Sequence, residues 1–569
     1  MSQSDKPNKT PTKGLPQRKD IRNLSTKEQN NLITAFKAIQ ALDPDHPDSF
    51  FKIASYHGAP FRGAGYANQN WWGGYCNHGN ILFPTWHRAY TLRLEQSLER
   101  HGLKIKLPYW NELEEMTKEK PWSLPEIFLK PKWQIKGHEP FDNPLYSYKY
   151  QHNIVDHASP KDGVQYTKPK GYTTVRYPFT GLYGPRDIED SKYHNKYYQN
   201  LKDKFYEEQE KKKKLHEEPL GDQEEPCNKL LNDNIRMWLE DDKYPPDVAP
   251  PHSRTAKLKR SYHDCLKVED YTVFSNTTSA QAWNDQYYHD QEGNKDKILV
   301  SLETPHNGMH LALGGVEVPS QLMSYVRNAN GDMGENNTAA FDPIFYFHHS
   351  FIDLIFWKWQ LHNHSTTELK IDKKFEDYPG TSSVDGQGPT PGMTGADFLS
   401  MDTPLRPFHK VNDPDPNKPL QLSTDREDPF LKSKDVVDIS RLGYDYKMPK
   451  ELSDDPVGAP GGAPGSSYFA RVSDVSRADI QGSFVIAVWT QKDAEKGKEE
   501  PCREMAACYP VLNRWNVADC ANCQSHLDVK ALLPLHDTES LDNTTVTARV
   551  HTRDNHLGTE ITAHVVRGN

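Results

Sequence analysis

Residues 341–359 read FDPIFYFHHSFIDLIFWKW, and residues 303–315 upstream read ETPHNGMHLALGG. Between them they put His306, His310 and His349 where helices could converge on one metal. His306 and His310 are four apart, which on a helix stacks them one turn above the other on the same face. Two imidazoles at that spacing grip a transition metal, but many helices carry the pattern with no chemistry attached. What gives it weight is a second histidine set near the N-terminus.

That set reads YHGAPF and then YCNHGNILFPTWHRAYTLRLEQSL. His57 follows a short helical pattern opened by Asp48 and Ser49, with Phe50, Phe51 and Ala54 on its apolar side and Gly58 as a stop signal. His87 falls just inside a second helix, with Pro84 in its first turn and Tyr90, Leu94 and Leu98 continuing the apolar stripe. His78 lies in the approach loop. One buried histidine is ordinarily satisfied by a backbone hydrogen bond, but six beside aromatic faces are better explained as two three-histidine metal sites. Neutral imidazole suits copper, zinc, iron or nickel, and carboxylate is absent from the obvious ligand positions.

Cys76, Asn77 and His78 form a Cys-x-His unit. With it the chain resembles the fungal tyrosinases and catechol oxidases, the type 3 dinuclear copper polyphenol oxidases, in a latent proenzyme form and over roughly residues 20–447. The resemblance implies a mainly α catalytic domain with a four-helix-bundle dicopper core and long loops. His57, His78 and His87 would hold copper A, and His306, His310 and His349 copper B; Cys76 would be joined to the His78 ring by a thioether. His349 is preferred to His348 because Phe345, His349 and Asp353 share a face at spacing four, and the family places an aromatic gate four residues before its last ligand. His348, Arg88 and Asp353 then read as supporting groups around the ligands or as helix tethers. Glu303 and Asn307 flank His306 and match the family's pair that orders a water as base, although Glu303 also suits the positive end of a helix. The implied activity is oxidation of phenols by O2 on two copper ions: ortho-hydroxylation of monophenols and oxidation of o-diphenols to o-quinones, as in melanin or pigment synthesis. A catechol oxidase with little monophenolase activity is the alternative, followed by a haemocyanin-like oxygen binder. Small phenols such as tyrosine or DOPA-like compounds are the implied substrates, and a homodimer is left open.

Composition agrees with a large soluble enzyme. The chain has 569 residues and a net charge of −10, which disfavours nucleic acid as a partner. Its mean hydropathy is −0.86, and no apolar run nears the ~20 residues that span a bilayer, so no membrane association is expected. The opening MSQSDKPNKTPTKGLPQRK has no apolar signal core, which predicts a flexible tail over residues 1–20 and a cytoplasmic location. The catalytic domain is expected over 21–447, closing at RLGYDYKMP with Tyr444 and Tyr446. A Gly/Pro-rich linker open to activating proteases is expected over 448–467. From 468 to 569 short β-type runs such as YFARV and SFVIAVW predict a small all-β sandwich.

Seven cysteines, an odd number, fit a reducing compartment, with Cys227 and Cys265 read as unpaired surface thiols. Cys520 and Cys523 form a CxxC unit, for which transient Cu(I) delivery is the sharper expectation; zinc with Cys502, Cys508 and His526 is the weaker one. The family's latent forms insert a C-terminal side chain over the coppers, and Tyr509, Leu512 and Trp515 are the candidates here.

Overall fold

A computed structural model describes residues 14–59, 74–116, 122–155, 167–179, 181, 226–240, 256–289, 298–316, 318–319, 331–371, 379–381, 399–411, 415, 418–424, 427–453, 468–492, 503–517, 520, 523, 526–535, 544–553 and 555–567. The run 207–218, Cys502 and the stretch 454–467 of the expected linker lie outside the described residues, as does the side chain of Cys227.

The helices in chain order are α1 (Thr26–Gln40), α2 (Phe50–Ser55), α3 (Phe83–Arg100), α4 (Pro226–Leu239), α5 (Leu258–Cys265), α6 (Tyr271–Ser275), α7 (Thr277–His289), α8 (Glu303–Gly314) and α9 (Ile344–His362). Helix α9 is buried along nearly its whole length, so it forms the axis of the body rather than a surface element. It packs along α3, α2 lies against α3, and α8 beds on α4 and α5. At the last contact a Cβ on Gly308 would come within 2.5 Å of the Leu258 side chain, so only glycine lets α8 settle that closely on α5.

The remaining catalytic part is loop with short ribbons: β1 (Gln17–Arg18), β2 (Lys132–Trp133) on β3 (Phe141–Asp142), and β4 (Ile154–Val155) on β5 (Thr167–Lys168). Nearer the end of this part are β6 (Pro404–Lys410) flanked by β7 (Leu422–Ser423) and β8 (Phe430–Lys432), and then β9 (Asp445–Tyr446). β1 pairs in parallel with β9, and Arg18 is fully buried. This corrects the expectation of a flexible tail reaching residue 20: the arginine is drawn inside by carboxylates on α3 and α9.

The C-terminal β-rich unit contains β10 (Tyr468–Ser476), β11 (Phe484–Lys492), β12 (Arg503–Val511), β13 (Asp528–Pro534), β14 (Thr544–Thr552), β15 (Asn555–Ile561) and β16 (Ala563–Arg567). They form antiparallel sheets of order β13-β10-β16 and β12-β11-β14-β15. Phe484, Ile486 and Val488 share an apolar core with Ala470 and Val472 of the other sheet. The alternate residues of β11, Val485, Ala487 and Trp489, join the core of the helical body instead. The unbroken apolar run SFVIAVW thus reflects a strand buried on both faces.

One cysteine expectation is corrected and another acquires a condition. Cys265 is buried in α5 with its sulfur against the Tyr262 carbonyl, because it falls on the apolar side of that helix. Cys520 and Cys523 are joined as a disulfide, so this pair presents no thiolate in this state.

Candidate metal centre

Each histidine set is positioned by local backbone. His57 follows α2, whose start is capped by the Ser49 hydroxyl accepting the Lys52 N–H at 3.0 Å. Gly58 next to it passes so close to Asn337 that a Cβ would collide with that backbone. His87 sits one turn into α3, where its Nδ1–H donates to the Phe83 carbonyl at 2.8 Å. His57 likewise donates from Nδ1 to the Asn336 carbonyl at 3.2 Å. In both rings Nε2 is buried with no hydrogen-bond partner among the described residues. A donated Nδ1 proton fixes the tautomer and leaves the Nε2 lone pair for a cation.

His78 completes this set from the loop. Its ring centroid is 5.3 Å from that of His57 and 4.9 Å from that of His87. A nitrogen of His78, a nitrogen of His57 and the Cys76 sulfur lie within 4.8 Å of one another.

In the other set, His310 Nδ1 donates to the Met333 carbonyl at 2.8 Å and His306 Nδ1 to the Asn307 side-chain oxygen at 2.9 Å. Their two Nε2 atoms converge on His349 Nε2 at 3.3 and 3.4 Å. Nitrogens bound to one tetrahedral metal at about 2.0 Å are separated by ~3.3 Å. A single Nε2–H on His349 could satisfy only one of the two facing lone pairs, whereas a cation satisfies all three nitrogens. The donor set therefore fits a metal ion.

Proximity alone admits His348, since one nitrogen from each of His306, His310, His348 and His349 falls within 4.8 Å of the others. Direction separates the two neighbours. His348 turns its Nδ1 to the buried Glu112 carboxylate at 2.6 Å, and Tyr262 donates to the other oxygen of Glu112. His349 instead lies stacked on His87 with centroids 4.5 Å apart, bridging the two sets. Burial depresses the basicity of all these imidazoles, to about 3 at His87 and His348, and neighbouring histidines depress it further at His57, His78, His306 and His349. They are neutral donors, as metal ligands must be.

Phe345 is fully buried between the sets, its ring 4.0 Å from that of His349 and 4.9 Å from that of His57. Glu303 opens α8 and reaches across to the His78 loop: its oxygens accept the Gly79 N–H at 2.9 and 3.0 Å and the Thr277 N–H at 2.9 Å. Burial raises its pKa against these opposing bonds. Arg88 and Asp353 meet in a buried salt bridge; Asp353 also accepts from Tyr444 and Tyr446 at 2.7 Å each and from Arg18 at 3.3 Å. Sequence reasoning missed Glu112, Asn336, Thr277 and Arg18, none of which lies near its partner along the chain.

The C-terminal unit approaches this centre from the copper-A side of the expected arrangement. A cavity there is lined by Cys76, His78, Leu512, Arg514, the Cys520–Cys523 pair and His526. Tyr509 instead reaches Gln281 on α7, and Trp515 lies under Arg553.

The sequence signature described as the common central domain of tyrosinase matches residues 47–362. A tyrosinase of Aspergillus oryzae is 40% identical over 571 aligned positions, covering 97% of this chain and 96% of that one. The solved tyrosinase of Burkholderia thailandensis at low pH superposes with a TM-score of 0.73 at 34% identity, over 95% of this chain and 96% of that one. An oxygen-bound Aspergillus oryzae pro-tyrosinase variant shares the fold at a TM-score of 0.59 and 19% identity, over 97% and 93%. With its central domain matched across more than half its length and a relative aligned nearly end to end, this chain belongs to the tyrosinase family, whose dinuclear copper site corresponds to the two facing histidine sets.

Proposed function

We propose that the chain oxidises phenols with O2, hydroxylating monophenols at the ortho position and converting o-diphenols to o-quinones, and that its C-terminal unit keeps it latent. The observation that carries the reading is the pair of facing imidazole sets, His57, His78 and His87 against His306, His310 and His349, bridged by the His87–His349 stack. Copper ions held by these six imidazoles would supply the electron transfer between the phenol and O2. The chain's own residues orient and exclude. Carbonyls of Asn336, Phe83 and Met333 and the Asn307 amide lock four of the rings with Nε2 inward. Phe345 packs the space between the sets and keeps bulk water out. Glu303 and Asn307 stand at the start of α8, where a water held between them would accept the proton of an incoming phenol.

One feature favours the catechol oxidase alternative. Both Glu303 oxygens already accept backbone N–H groups, which lessens their call on a water.

Latency is supported by β11, which buries one face against the helical body, and by Leu512, which of Tyr509, Leu512 and Trp515 is the residue that lines the cavity beside His78. Leu512 is therefore the proposed blocking residue. Delivery of Cu(I) by Cys520 and Cys523 remains part of the proposal, and it requires prior reduction of their disulfide.

The test is copper content with monophenol and catechol turnover, before and after cleavage within residues 454–467 and removal of the C-terminal piece. Turnover of both substrates should rise with copper unchanged. Full activity of the uncleaved chain would overturn latency, and turnover of catechols alone would establish the alternative.

A further inference from the structure

The segment Leu512–Arg514 of the C-terminal unit is fixed at both its ends. The Leu512 carbonyl accepts Arg477 at 2.9 Å, the Arg514 carbonyl accepts the Gly482 N–H at 3.1 Å, and the Asn513 N–H donates to the Ser483 hydroxyl at 2.9 Å. Ser483 in turn donates to the Gly334 carbonyl of the helical body at 2.7 Å, and the Asn336 N–H reaches the Asn513 carbonyl at 3.5 Å. This strap carries Arg514, itself buried, onto the thiol of Cys76: Nη2 lies 3.6 Å from Sγ, and the Asn336 side-chain amide lies 3.9 Å from the same atom. The donors come from different sides of the interface. A nitrogen of each of His57 and His78 lies within 4.8 Å of the same sulfur.

A cysteine side chain reaches its sulfur through a single torsion with three staggered wells. The contacts made by the sulfur bias which well it occupies, and Arg514 at 3.6 Å is a nearer one than Asn336 at 3.9 Å. We propose that Arg514, brought in by the C-terminal sandwich, holds the Cys76 sulfur in position for bonding to a ring carbon of His78, so that the unit covering the copper pair also takes part in building its copper-A half. The inference rests on the tyrosinase-type reading of Cys76 and His78. In the step, the S–H bond of Cys76 and one ring C–H bond of His78 break and one S–C bond forms. Two protons and two electrons leave, and O2, the oxidant the family's activity already uses, takes them up as hydrogen peroxide. Arg514 is a positioning residue throughout: it touches the sulfur and gains or loses nothing. The cross-link therefore forms while the C-terminal unit is docked, before any cleavage.

The test uses the full chain expressed without copper, as wild type, Arg514→Met and Arg514→Lys. Copper is added in air, samples are quenched over time, and peptides containing Cys76 and His78 are followed by mass spectrometry, where the cross-link removes two hydrogens. At equal copper content Arg514→Met should cross-link about tenfold more slowly, the effect of one hydrogen bond of roughly average strength lost from the reacting geometry, and Arg514→Lys should recover part of the rate. If the Met variant fails to fold, Arg514→Gln is read in its place. Cross-linking of the neutral variant at the wild-type rate overturns the role of Arg514. A wild-type chain that never cross-links overturns the Cys76–His78 pairing itself, which is a different result and is seen without any variant.

Discussion

Replacing Asp353 with Asn should destabilise the helical body by about 3–5 kcal/mol, the usual cost of leaving a buried charge without its partner. Two arginines, Arg18 and Arg88, are buried with two carboxylates, Glu95 and Asp353, every side chain at most 2% exposed. Burial works to raise the Asp353 pKa, but Arg88, Arg18 and the two tyrosine hydroxyls outweigh it, so the carboxylate stays ionised and below its usual range. Asn keeps the shape and loses the charge, so one guanidinium is left unmatched; the carbonyls of Val436 and Val437 that Arg88 also reaches stabilise it only in part. Against a total of about 5–15 kcal/mol this is a large fraction. Asp353 lies one turn beyond His349 on α9, so the loss falls on the helix that holds the proposed copper-B ligand. The assay is urea unfolding of the copper-free protein followed by far-UV circular dichroism, because bound copper would add its own linkage. A companion Tyr444→Phe should cost about 1.5–3 kcal/mol in the wild type, as a hydrogen bond to a charged group, and much less when Asp353 is already Asn. A shift below about 1 kcal/mol for Asp353→Asn, or strictly additive effects in the pair, would show that the cluster is a set of neighbours without mutual dependence.

His310→Ala should lose one of the two coppers by metal analysis and abolish oxidation of phenols and catechols alike, whereas His348→Ala should retain both coppers with reduced stability; the opposite pattern would exchange the ligand and its neighbour. Glu303→Gln should depress monophenol turnover more than catechol turnover at unchanged copper content, and equal losses would leave Glu303 as the anchor of the His78 loop alone. Docking of the C-terminal unit should weaken in acid: Arg471 and Lys530 hold Asp285 on α7 below the usual carboxylate range despite some burial. Their contribution is present above the free carboxylate value of about 3.9 and is lost as pH falls through the lowered docked value. Limited proteolysis at falling pH should show release of the unit there, and Asp285→Asn should flatten the profile. Cys520→Ala with Cys523→Ala should lower copper loading in cells while leaving activity per bound copper intact; normal loading would end the delivery role.

The features legible in the sequence are those fixed by the local geometry of the chain. The i, i+4 spacing of His306 and His310, the placement of His87 one turn after Pro84, and the short β-type runs that mark β10 and β11 are local signals of helix and strand, and the structure shows those elements. The partners that lie far along the chain have no such signature. Glu112 meets His348 across 236 positions, Asn336 meets His57 across 279, and Arg514 meets Cys76 across 438. Arg18 looked like part of a loose tail because its composition is polar, and Cys265 like a surface thiol because its neighbours are charged. Each is buried because residues far along the chain close around it: Glu95 and Asp353 around the arginine, and the helical packing of α5 around the cysteine. Sequence alone determined which elements carry the histidines and which faces are apolar, since backbone periodicity acts over a few residues. Which nitrogen of His57 and His310 faces inward, which of His348 and His349 points at the shared centre, and what covers Cys76 were decided only by tertiary packing, because those choices depend on donors and charges that the chain brings together only when it folds.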